Sequence, residues 1–148
     1  MRKGDMDGKG QSTKDLLNSR GLKATHQRML VYEAMRGLGH ASADMVEEKV
    51  RALSGASGTG YSLATIYNTL DSLVDVGLLV RRPSFGSKMY FDVNTYDHCH
   101  VYDEETDCIS DFEDPGLMSV ISGYLERKGE KNFKISRVDV QLTGTFKK

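Results

Sequence analysis

Between residues 62 and 93 the apolar period of the chain switches once, and abruptly. In "SLATIYNTLDSLVDVGLL" (62–79) the residues Ile66, Leu70, Leu73 and Val74 recur at i, i+4, i+7 and i+8, the stripe of a helix that buries one side. Ser62 offers a hydroxyl to cap its start, and Gly77 supplies a stop. Directly afterwards "LLVRR" (78–82) and "KMYFDV" (88–93) read as strands, joined by "PSFGS" as a hairpin turn. A helix that runs straight into a two-stranded hairpin is the closing half of a winged helix-turn-helix. In that architecture the last helix before the wing enters the major groove of DNA.

The upstream sequence supplies the other helices. "TKDLLNSRGLK" (13–23) predicts a short helix ending near Gly21. Thr25 caps a second, with Leu30, Ala34, Met35 and Leu38 as its stripe and Gly39 as its end. Ser42 caps a third, with Met45, Val46, Val50 and Leu53 on one face, and "SGASGTG" (54–60) is a loop. The first residues, "MRKGDMDGKGQST", have no apolar core; they read as a polar disordered arm rather than a secretion signal.

On the helix over 62–76, Ala64, Thr65, Asn68, Asp71 and Ser72 lie away from the apolar stripe, with Tyr67 on its flank. These are mostly small or hydrogen-bonding side chains, suited to base edges. Arg81, Arg82 and Lys88 on the wing are expected to meet phosphates. Charge agrees in sign: residues 1–88 hold 13 Lys+Arg against 9 Asp+Glu, whereas residues 89–148 hold 7 against 12. A basic half fits a polyanionic partner, and the acidic half must do something else.

That second half begins with "YDHCH" (96–100), which holds two of the four histidines. "HCHVYD" and "CISDF" predict two strands around "EETD"; Asp114 and Pro115 open a helix carrying Leu117, Val120, Ile121, Tyr124 and Leu125; "FKISRVDVQL" (133–142) is β-rich. So small a set of elements buries little apolar surface alone, and a second copy of the chain is the natural remedy. On a strand His98 and His100 face the same side, Asp111 on the next strand reaches that side, and Cys99 faces away. His40, before the third helix, and Asp92, at the end of the wing, complete five candidate ligands. Three imidazoles and two carboxylates suit Fe²⁺ or Mn²⁺, accept Zn²⁺ as a surrogate, and are poor for Cu⁺. His26 has no partner in sequence and reads as a surface residue. Cys99 and Cys108 are too few for a disulfide framework, and no run reaches the roughly 18 apolar residues of a membrane span. A cytoplasmic protein with no membrane partner is expected.

"LKATHQR" (22–28), "HASAD" (40–44), the 62–79 helix, "MYFDV" (89–93) and "DHCH" (97–100) together resemble the ferric uptake regulator (Fur) family, with a fainter echo in "ISRVDVQLTG" (135–144). The resemblance implies an α+β protein: an arm over 1–13, a winged-helix DNA-binding domain over 14–92, and an α/β metal-sensing dimerisation domain over 93–148. It also implies a homodimer on double-stranded operator DNA. The family's regulatory ligands fall on the same His40, Asp92, His98, His100 and Asp111. By resemblance Tyr67 contacts bases and Lys23 a phosphate or the minor groove; Thr65, Asn68, Arg81 and Arg82 complete the expected DNA set. Aspartate at both 92 and 111 resembles the peroxide-sensing PerR branch, where iron-uptake repressors more often carry glutamate.

"YFDVNTYDHCH" and "RVDVQL" also resemble the haem-linked regulator Irr; Cys99 stands where Irr has a central histidine, which counts against haem. The paired CxxC motifs that hold structural zinc in many members are absent, and the family's additional metal site falls on Asp97, Cys99, Met118 and Arg137 or Val138, a poor ligand set. Outside the family, two other classes are a metal-independent winged-helix repressor, which leaves the five ligands unexplained, and a small metalloenzyme. The latter needs an open metal position and an acid/base pair, and neither is evident here. A regulator, not an enzyme, is expected.

Overall fold

The computed structural model describes residues 11–55, 60–83, 88–96 and 98–147. Most of the expected arm, the centre of the 54–60 loop, the "PSFGS" turn beyond Pro83 and Asp97 lie outside the described residues. The chain divides between Thr95 and Tyr96 into two compact units.

In the first unit, helices α1 (Thr13–Ser19), α2 (His26–Leu38), α3 (Ala43–Ser54) and α4 (Leu63–Asp75) each begin on a hydroxyl. Ser12 accepts from the Asp15 amide at 3.1 Å, Thr25 from Arg28 at 3.2 Å, Ser42 from Met45 at 3.5 Å and Ser62 from Thr65 at 3.2 Å. Each cap satisfies one of the amides that a helix start leaves without an intrahelical partner. Gly39 closes α2 at φ 80° and Gly77 follows α4 at φ 76°, conformations that a side chain would strain.

Strands β1 (His40–Ser42), β2 (Val80–Pro83) and β3 (Met89–Asp92) form an antiparallel sheet in the order β1-β3-β2. The wing hairpin pairs Val80 with Asp92 and Arg82 with Tyr90. Strand β1 was not expected: three residues just before α3 pair with β3, His40 opposite Asp92, and the Val93 amide extends the ladder to the Gly39 carbonyl at 3.0 Å. The core is built from Leu17, Val31, Ala34, Met35, Val46, Val50, Ile66, Leu70, Leu73, Leu79 and Phe91, all at 1% exposure or less. Four helices and a winged hairpin over this core are a winged helix-turn-helix.

Two stripes differ from the sequence reading. On α2 the buried set is Val31, Tyr32, Ala34 and Met35, while Leu30 and Leu38 are half-buried. On α3 Val46 and Val50 are buried with Ala43, whereas Met45 and Leu53 are 41% and 48% exposed. Both helices are short and packed on two sides, so a single 3.6-residue stripe undercounts one flank and overcounts the other.

In the second unit, β4 (Cys99–Asp103) pairs antiparallel with β5 (Cys108–Phe112) and parallel with β6 (Val140–Gly144). Asp103 closes the β4–β5 turn, accepting from the Glu105 amide at 3.1 Å and the Thr106 hydroxyl at 2.6 Å. Helix α5 (Pro115–Lys128) starts on Asp114, whose carboxylate accepts from the Leu117 amide at 3.0 Å. The β-rich run 133–142 forms a strand only from Val140; residues before it are irregular, because β-propensity expresses itself only where a partner strand is available. Helix α5 buries no residue, and Val120, Tyr124, Phe133 and Phe146 are 56–69% exposed.

Candidate metal centre

Each unit carries part of the expected ligand set. In the second unit His98 and His100 lie two residues apart, so both imidazoles project from one face of the sheet, with ring centroids 4.4 Å apart. The register sets His100 directly opposite Asp111. His98 Nε2 lies 3.3 Å and His100 Nε2 3.5 Å from the same Asp111 oxygen, Oδ1. Both histidines are buried, at 4% and 6% exposure.

His98 Nδ1 donates to the Tyr96 carbonyl at 2.7 Å. A carbonyl only accepts, so Nδ1 carries the hydrogen, and Nε2 is the ring nitrogen presented to Asp111. A lone pair facing a carboxylate oxygen is repulsive unless a cation, proton or metal, is shared between them. Fixing one ring nitrogen on a backbone carbonyl while the other is presented is the usual support of a metal-bound histidine. The donor set of two imidazole nitrogens and carboxylate oxygen therefore fits a divalent first-row ion.

In the first unit His40 and Asp92 are direct cross-strand partners at the base of the wing. Asp92 is fully buried; its Oδ1 accepts from the Asn94 amide at 2.8 Å, and Arg82 Nε lies 3.7 Å from its Oδ2. Sequence reasoning found His40 and Asp92 but not their pairing, because nothing local marks 40–42 as a strand.

Cys99 faces the other side of β4 and is buried. Burial pushes its thiol up from the ordinary value, and the Asp114 carboxylate adds in the same direction. Cys108 is exposed.

On the DNA-reading candidates, Lys23, Tyr67 and Asn68 are exposed and Thr65 half-exposed; the Tyr67 ring meets Phe91 edge-on at 6.5 Å. Arg81 is exposed and reaches back to Asp71 on α4 at 2.7 Å. Arg82 departs from expectation. It is 6% exposed and turned toward Asp92, with Nη2 donating to the Asn94 carbonyl at 3.4 Å. Adjacent strand residues face opposite sides, so Arg81 and Arg82 cannot both project outward; this alternation was the available signal. His26 is exposed.

A winged helix followed by a small mixed sheet that bears an imidazole–carboxylate cluster fits the class of metal-responsive transcriptional regulators. The profile of the ferric uptake regulator family matches residues 19–143. The chain belongs to the ferric uptake regulator family, whose members are transcriptional regulators rather than enzymes. The peroxide-responsive repressor PerR of Staphylococcus saprophyticus is 34% identical over 105 residues, covering 70% of this chain and 68% of that protein. Among solved structures, the Vibrio cholerae ferric uptake regulator superposes with a TM-score of 0.74 at 24% identity, covering 90% of this chain and 98% of that one. The Pseudomonas aeruginosa regulator with manganese gives 0.69 at 25% identity, covering 93% and 100%.

Proposed function

We propose that this protein is a metal-dependent, PerR-like repressor that binds operator DNA as a homodimer in the cytoplasm, with Fe²⁺ or Mn²⁺ as corepressor. The observation that carries the reading is the convergence of His98 Nε2 and His100 Nε2 on one Asp111 oxygen, at 3.3 and 3.5 Å, with His98 Nδ1 already engaged by a carbonyl. His40 and Asp92 are the remaining ligands of the proposed set. The corepressor ion selects one arrangement of the winged helices in the dimer, and DNA affinity rises with the fraction of competent conformers. A coupling of roughly 1–3 kcal/mol is typical of such linkage.

The first unit reads DNA through Thr65, Tyr67 and Asn68 on α4, with Lys23 and Arg81 on phosphates; the second pairs the chains. The exposed apolar side chains Val120, Tyr124, Phe133 and Phe146 support a second copy as the cover for that unit. The relative at 34% identity is a peroxide-responsive repressor, and the neighbour at 25% identity is a structure with manganese. Fe²⁺ held by these ligands supplies a reductant for H₂O₂, which Mn²⁺ does not. His40, then His98 or His100, is the side chain expected to gain an oxygen. Cys99 at the centre of the His98–His100 pair, where haem-linked relatives carry a histidine, supports a non-haem ion over haem.

The test is a DNA-binding titration with Fe²⁺, Mn²⁺, Zn²⁺ and haem, each with and without H₂O₂, on the wild type and His98→Ala. The expected result is binding that requires Fe²⁺ or Mn²⁺, is lost on peroxide treatment of the iron form alone, and is lost in the variant. Binding indifferent to chelation would overturn the reading. Absence of a +16 Da histidine after peroxide would leave a repressor that senses iron without peroxide.

A further inference from the structure

The wing sheet carries a cation against a proposed ligand. Val80 and Arg82 alternate with the outward Arg81 along β2, and Val80 lies opposite Asp92 on β3. Arg82 thus crosses diagonally, on the face that also holds His40, to bring Nε within 3.7 Å of Asp92 Oδ2. The guanidinium is anchored from behind by the Asn94 carbonyl, and Asp92 Oδ1 is held by the Asn94 amide at 2.8 Å. One carboxylate oxygen therefore rests on the backbone while the other faces a positive charge. Both side chains are nearly out of water, at 7% and 0% side-chain exposure, where breaking a charge pair is costly and like charges repel strongly. A guanidinium keeps its charge at every accessible pH, so this is a permanent cation.

We propose that Arg82 is a built-in competitor for the regulatory ion: it neutralises Asp92 when the ion is absent and lowers the affinity of the ligand set when the ion arrives. The proposal rests on the reading of Asp92 as a ligand. A divalent ion at Asp92 must share the carboxylate with the guanidinium or displace it. Arg82 thereby raises the metal concentration at which the protein responds, which suits a sensor that must release its ion more than a structural site that must keep it. The same pairing removes Arg82 from the phosphate-binding surface.

Two measurements test this. The first is a double-mutant cycle on metal-free protein, combining Arg82→Met with Asp92→Asn and read by denaturant unfolding; it needs no metal. The second is calorimetric titration of Mn²⁺ into the wild type, Arg82→Met and Arg82→Lys. Arg82→Gln, which keeps a donor for the Asn94 carbonyl, replaces the Met variant if that one does not fold. The expected result is clear coupling in the cycle, Mn²⁺ affinity raised on the order of tenfold in the Met or Gln variant, opposite in sign to the roughly 10–100-fold loss that removing a supporting outer-shell partner typically causes, and affinity close to wild type in the Lys variant. Normal Mn²⁺ uptake by the wild type with unchanged or weaker uptake by the neutral variants would overturn the proposal alone, as would absence of coupling. Failure of the wild type to take up Mn²⁺ would overturn the functional reading and this proposal with it.

Discussion

Replacing Asp71 with Asn separates the wing from the reading helix by one contact. Arg81 on β2 reaches Asp71 on α4 at 2.7 Å, and the two side chains are 42% and 47% exposed. An ion pair that open to solvent contributes about 0.2–1 kcal/mol, so Asp71→Asn should lower stability by no more than that and Tm by less than about 8 °C. The effect on DNA should be larger and opposite in sign. The substitution deletes a negative charge from the proposed reading face and releases a guanidinium beside it. One added phosphate contact steepens the slope of log affinity against log salt by about 0.9. At low salt the affinity should rise about three- to tenfold, the equivalent of roughly 0.6–1.4 kcal/mol. Screening should remove most of that gain near 1 M salt, where the Debye length falls to about 3 Å. Fluorescence anisotropy with a labelled duplex and saturating Mn²⁺, repeated from 50 mM to 400 mM KCl at roughly twofold steps, reads both quantities. An unchanged slope, or weaker binding at every salt, would refute the placement of Arg81 beside phosphate.

Leu70→Ala, at a fully buried core position, should cost about 2–5 kcal/mol in denaturant unfolding, and a cost below about 1 kcal/mol would contradict the packing described for α4. Ser62→Ala removes the hydroxyl that accepts from the Thr65 amide and should cost about 1 kcal/mol, with a loss of helicity confined to α4 measurable by hydrogen exchange. Asp111→Ala leaves His98 and His100 without their shared oxygen and should weaken Mn²⁺ binding by more than about 100-fold in calorimetry, beyond the range of outer-shell changes. Alkylation by iodoacetamide, mapped by peptide mass, should label the exposed Cys108 at neutral pH. A raised pKa keeps the Cys99 thiol protonated to higher pH, so its labelling should begin only above the ordinary thiol range near 8.5; equal rates at pH 7 would be inconsistent with its burial.

Much of the first unit could be read from the chain because its signals are local. Thr25, Ser42, Ser62 and Asp114 announce helix starts by chemistry acting within three residues, and each caps the helix expected of it. The wing was legible because a period of 2 follows a period of 3.6 with Gly77 between them. What escaped depends on partners distant in sequence. Strand β1 exists because β3 arrives 48 to 52 residues later to pair with it, and three residues are too few to show alternation. Arg82 looked like a surface cation beside Arg81 until the register placed it diagonally from Asp92. Residues 133–138 have the composition of a strand but pair with no strand among the described residues, and they stay irregular. The five candidate ligands stand out in the sequence as residue types at telling spacings; the Tyr96 carbonyl that orients His98 is backbone and leaves no mark on sequence.

The short strap β1 joins the end of α2 to the start of α3 and is also the third ribbon of the wing sheet. One three-residue segment thus belongs at once to the helical scaffold and to the hairpin. Backbone pairing rather than a flexible tether links His40 to the base of the wing, so a displacement of that residue is shared with the sheet. Any tug there must tilt the hairpin and nudge the start of α3 together, as a lever rather than a leash.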